Sequence, residues 1–123
     1  MFRSLLSALQ ARHGSTIDPA QARENERILA RVEELGGGYV WDAGVFAVTL
    51  MDVALSDADA LPLASLVGVQ QIALDCAQLS APTLQRIAAA PGLQSLVICN
   101  HGLTGSEIEA LRSLGPEVKV LGE

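Results

Sequence analysis

At 123 residues the chain has room for one small domain and, at most, a short extension. Half of it is hydrophobic but only 3% is aromatic, so any core must be built from Leu, Val, Ile and Ala. A net charge of -6 argues against a nucleic-acid partner, whose phosphates are met by clustered Lys and Arg. The excess lies late: residues 1–44 carry five basic and six acidic groups, residues 45–123 three and eight.

Residues 1–16 begin "MFRSLLSALQARHG", an amphipathic extension in which Phe2, Leu5, Leu6 and Leu9 fall on one side of a short helix. The stretch is too short to span a bilayer and lacks a small-residue cleavage site, so no transmembrane segment and a cytoplasmic location are expected. An apolar stripe of this kind should dock on an apolar surface, either elsewhere on the chain or on a second copy. In a reducing compartment the two cysteines, Cys76 and Cys99, would remain thiols.

Residues 17–44 have the grammar of a cap. Asp18 is placed to be a helix N-cap, Pro19 stands at the first helical position, and Gly36 marks the stop. Ile28, Val32 and Leu35 form one apolar stripe on this helix. "YVWDAGVFAV" then predicts a short strand, a turn at 42–44 and a second strand, with Tyr39 and Trp41 alternating onto one face to cover the end of a core. "ELGGGYV" is not a phosphate loop, because no Lys-Ser/Thr follows and no strand precedes it.

From Val45 to the end, residues 45–123, the chain repeats. In lines of 24 residues it reads "VFAVTLMDVALSDADALPLASLVG", "VQQIALDCAQLSAPTLQRIAAAPG" and "LQSLVICNHGLTGSEIEALRSLGP", then a stub "EVKVLGE". Val45, Val69 and Leu93 share a column, as do Val48, Ile72 and Leu96, and Leu50, Leu74 and Ile98. A fixed period in this range marks a repeat architecture, and a lone repeat could not bury enough apolar surface to order itself. Each line predicts a short strand, near residues 46–51, 70–75 and 94–99, parallel to its neighbours, with a fourth at 118–121. A Ser or Thr then opens a helix. Ser56 with Asp59, and Thr104 with Glu107, fit capping boxes. Leu84, Ile87 and Ala88, and Ile108, Leu111 and Leu114, are expected to face inward, and Pro62 should shorten the first helix.

The third line, "LQSLVICNHGLTGSEIEALRSL", resembles the L-x-x-L-x-L-x-x-N-x-L signature of leucine-rich repeats, in particular bacterial ones, and the resemblance covers residues 45–121. It implies an α/β fold: a short leucine-rich-repeat solenoid, its parallel sheet backed by helices on the convex side. The chain departs from the signature at the ninth place, which holds Val53, Ala77 and His101 where the family often has Asn. By that register His101 turns toward backbone groups in place of the Asn, and Cys99 points out of the sheet.

Cys99 and His101 are the chemistry-bearing pair of the chain, but no nucleophile, base and orienting group fall together in the repeat register, so no catalytic residues are assigned. Asp75, Cys76, Cys99 and His101 match none of the paired spacings of tetrahedral zinc, so no metal and no cofactor are assigned either. What remains is a face. The outward positions of the three strands are Ala47, Thr49 and Met51; Gln71, Ala73 and Asp75; Ser95, Val97 and Cys99, a patch in which only Asp75 is charged. The resemblance implies that such a sheet face binds another protein, without catalysis. The competing expectation is a self-associating structural subunit, a homodimer paired through the final strand "EVKVL", which no terminal cap covers; a thiol-dependent enzyme comes last.

Overall fold

The structure, a computed structural model, describes residues 19–42 and 45–121. The extension at 1–16, Asp18 and the turn residues 43 and 44 lie outside the described residues. The first described element is α1 (Pro19–Glu34), which buries Ala22, Asn25 and Leu29 as well as the expected Ile28 and Val32. Gly36 ends it with φ +98°. The Gly36 and Gly37 N–H groups then return to the carbonyls of Glu33 and Val32 at 3.1 and 2.9 Å, which is how a left-handed glycine closes a helix.

Five strands follow, hydrogen-bonded in chain order: β1 (Gly38–Asp42), β2 (Val45–Leu50), β3 (Gln71–Asp75), β4 (Ser95–Cys99) and β5 (Glu117–Leu121). The sheet is not wholly parallel, as the sequence reading expected. β1 runs antiparallel to β2, because the connection between them is only long enough for a hairpin. The other three pairs are parallel, since helical segments intervene. The architecture is therefore α/β, a mixed five-stranded sheet with helices.

Ala47 pairs with Gln71 and Gln71 with Ser95, each step 24 residues. The last step is shorter. Ser95 pairs with Glu117 and Leu96 with Val118, 22 residues on. The expected line ending at Pro116 therefore overruns by two residues, because Gly115, at φ +125°, turns the chain into β5 early.

The connections carry α2 (Asp57–Ala60) continued by a 3-10 turn at Leu61–Ser65, α3 (Ala81–Ala88) and α4 (Gly105–Arg112). Pro62 lies in the 3-10 turn, in keeping with a shortened first helix. The Thr104 capping box is complete: the Glu107 N–H donates to Thr104 Oγ1 at 3.2 Å and the Thr104 N–H to Glu107 Oε1 at 2.8 Å. Ser56 Oγ accepts from the Asp59 N–H at 3.2 Å. Ser80 makes no such bond; its N–H donates to Asp57 Oδ1 at 2.9 Å, tying one connection to the one before.

The core lies between the helices and the sheet face formed by Val48, Leu50, Ile72, Leu74, Leu96 and Ile98, with Leu55, Leu79, Leu84, Ile87 and Leu111 opposite. Two positions differ from the column reading. Val45 is 48% exposed, and its neighbour Phe46 is fully buried in its stead. The hairpin sets this phase, with Trp41 meeting Phe46 edge-on at 5.0 Å between ring centroids. Leu114 is 44% exposed, since α4 has ended at Arg112 and no longer holds it on the inward stripe. Tyr39 and Trp41 are half-buried against the core. No helix among the described residues is long and apolar enough to cross a membrane.

Candidate functional site

The face opposite the helices is laid out in rows by strand register. One row runs Val40, Ala47, Gln71, Ser95, Glu117, and the next runs Gly38, Thr49, Ala73, Val97, Lys119. A third brings Asp75, Cys99 and Leu121 together, and Met51 joins them, its Sδ lying 3.9 Å from Cys99 Sγ. All nine positions singled out in the sequence thus lie on one face.

They are not equally available. Thr49 and Gln71 are exposed, while Ala47, Met51, Asp75, Ser95 and Cys99 are half-buried. Ala73 and Val97, at the middle of the face, are buried, with only 8% and 9% exposed. The Oγ of Ser95 is shielded from solvent and has no hydrogen-bond partner.

Asp75 is occupied locally. It accepts from the Ala77 N–H and from the Asn100 carboxamide, both at 3.1 Å, holding the bend after β3 against the bend after β4. Asn100 itself has φ +55°, and Asp52 at the matching place after β2 has φ +60°, residue types that tolerate the left-handed region.

The sequence reading missed the charged margin of the face. Because β5 enters two residues early, Glu117 and Lys119 fall beside Ser95 and Val97, ion-paired at 3.3 Å, so Asp75 is not the only charge there. Val40, Val45 and Leu121 add exposed apolar surface around it. The alternation of "EVKVL" carried that signal, but only with the correct register. On the helix side, Leu114 borders an open groove of about 470 Å³ between α3 and α4, also lined by Pro82, Arg86 and Ala110.

Neither thiol is primed as a nucleophile. Burial pushes Cys76 up to about 12, and the thiol, 1% exposed, donates weakly to the Leu74 carbonyl at 3.7 Å. Cys99 is also raised, first by desolvation and then by the negative Asp75 and Asp52; a reactive thiolate needs the opposite surroundings. Both cysteines are free. His101 Nδ1 accepts from the Leu103 N–H at 3.1 Å, a bond within its own turn. Among the described residues no three His, Cys, Asp or Glu side chains come together as metal ligands would.

No protein-family model, curated protein or solved structure matches the chain.

Proposed function

We propose that the chain is a short leucine-rich-repeat solenoid whose outward sheet face, centred on Thr49, Ala73 and Val97, binds a protein partner without catalysis. The observation that carries this reading is the in-register row of small, uncharged side chains across three parallel strands, on the face away from the layer of described helices. Small residues in a row leave a shallow trough, and its polar rim at Gln71, Asp75, Glu117 and Lys119 supplies orientation, the usual division of labour in an interface. The two 24-residue steps and the Leu-Ser/Thr helix starts support the family assignment.

The competing reading, a homodimer through the free edge of β5, has one observation in its favour: β5 ends the sheet and Leu121 is exposed there. Against it, Glu117 and Lys119 put charges on that strand, and Arg112 Nη2 already donates to the Val118 carbonyl at 3.4 Å, which blunts an edge against pairing.

A photo-crosslinking residue placed at Thr49 or at Gln71 tests the choice, with the exposed Gln85 on α3 as the control. Adducts with a different protein from 49 and 71 but not from 85 are expected. Adducts of doubled mass alone, with a dimeric mass in solution, would transfer the function to self-association, and no adduct from the face would remove the binding reading.

A further inference from the structure

The burial of Ala73 and Val97 is out of keeping with their place. They face away from the core, and they stand apart from the cluster that unites the core residues. Yet they are as shielded as core residues, and the Ser95 hydroxyl between their row and the next is closed off without a partner. The larger Gln71 and Thr49 beside them stay exposed, so the covered zone is a strip over β3 and β4. The described helices pack against the opposite side of the sheet, where their buried residues join the core.

We infer that residues 1–12 of this chain dock across the outward face and cover this strip; the inference rests on reading that face as an interaction surface. The occupant is chosen by pattern, length and reach. Phe2, Leu5, Leu6 and Leu9 are spaced to form one helical side. Twelve helical residues extend about 18 Å, close to the roughly 19 Å across five strands. Arg3 and Arg12 carry the positive charge that Asp75 and Glu117 on the face would meet.

Reach follows from where the described chain begins. The start of α1 is fastened beside the entry to β3, since Gln21 Nε2 donates to the Ser65 carbonyl at 3.2 Å and Asn25 holds Val67. From there the six residues 13–18 span up to about 20 Å when extended, enough to pass from the helix layer, around the ends of the strands, to the far face at about 10 Å per layer. A tether this short gives the segment a local concentration in the millimolar range, so its own sheet outcompetes a second copy.

The consequence is a face that a partner reaches only by displacing the segment. The test uses the full chain with Leu5→Glu and Leu6→Glu, and measures modification of Cys99 by a thiol reagent. A segment docked about nine-tenths of the time slows the reagent about tenfold, so the substituted chain should react about tenfold faster, with unchanged circular dichroism. An unchanged rate in the folded variant overturns the inference. So does a rate in the unsubstituted protein that rises on dilution, which would assign the cover to a second copy. Should the variant fail to fold, hydrogen exchange of residues 2–12 in the unsubstituted chain decides: slowed exchange supports docking, and exchange at the rate of a free peptide overturns it. Crosslinking from Thr49 reads the other proposal separately. Partner adducts with no change at Cys99 would keep the binding face and discard its cover.

Discussion

Asn25 and Val67 exchange both of their hydrogen bonds across 42 positions of sequence. The Asn25 Nδ2 donates to the Val67 carbonyl at 2.8 Å, and the Val67 N–H donates to Asn25 Oδ1 at 3.1 Å. Asn25 is completely buried, so one carboxamide serves as the strand partner that the chain between the 3-10 turn and β3 otherwise lacks. Gln21 Nε2 adds a third bond to the same oxygen at 3.1 Å. Replacement of Asn25 by Ala or Leu leaves two backbone groups without partners and should cost about 2–4 kcal/mol, read as a lowered midpoint in urea with an unchanged slope. A cost below about 0.5 kcal/mol would mean that water takes over both bonds.

At Gly37 a Cβ would run into the Leu50 side chain and lie 2.6 Å from the Thr49 carbonyl oxygen, a backbone atom that cannot step aside. Gly37→Ala should therefore destabilise by about 1–3 kcal/mol. Gly102→Ala, where nothing lies within 4 Å of the added carbon, should be neutral to slightly stabilising. Thermal denaturation of the pair checks both, and equal effects would contradict the packing argument.

His101→Asn is expected to be close to neutral, because an Asn side chain accepts from the N–H two residues on, as His101 Nδ1 does from Leu103. His101→Leu removes that acceptor and should cost about 1 kcal/mol. A loss of several kcal/mol on the Asn substitution, by denaturant titration, would show a further role for the ring.

Cys76 makes stability depend on alkaline pH. Its thiol is held up to about 12 by burial, against 9.0 ordinarily. The unfolded chain thus loses this proton first, and the contribution is fully present below pH 9 and lost as pH rises between about 9 and 12. The slope from this one group is at most about 1.4 kcal/mol per pH unit. Tyr39 acts in the same direction, being raised by burial and then by Glu33 and Glu26, so the comparison needed is with Cys76→Ala. That variant should lose stability less steeply above pH 9; an identical slope would rule out Cys76 as the source.

The parallel register was legible because aliphatic side chains at every second strand position stood in columns 24 apart, and Val48, Ile72 and Leu96 lie side by side as those columns require. The columns could not report the hairpin, whose pairing with Trp41 chose Phe46 over Val45, nor the backbone turn at Gly115 that shortened the last step. Asn25 was invisible for another reason: a polar residue on a helix marks solvent unless its partner is known, and Val67 is distant in sequence. For the face, alternation placed all nine positions on one side. It gave no means of knowing that Ala73 and Val97 would be shielded there, or that Glu117 and Lys119 would join them.

Because every strand from β2 to β5 has the next strand in sequence as its neighbour, the sheet can come apart like a zip. Tension on the C-terminus would peel β5 from β4 while leaving the earlier ladders intact, then β4 from β3, with little force at each step. At the other end the Asn25 clasp joins α1 to the loop before β3, so pulling on the N-terminus meets a shear across several elements at once. The molecule should be mechanically lopsided, soft at its tail and stiff at its head, and single-molecule stretching from the two ends would show different unfolding forces.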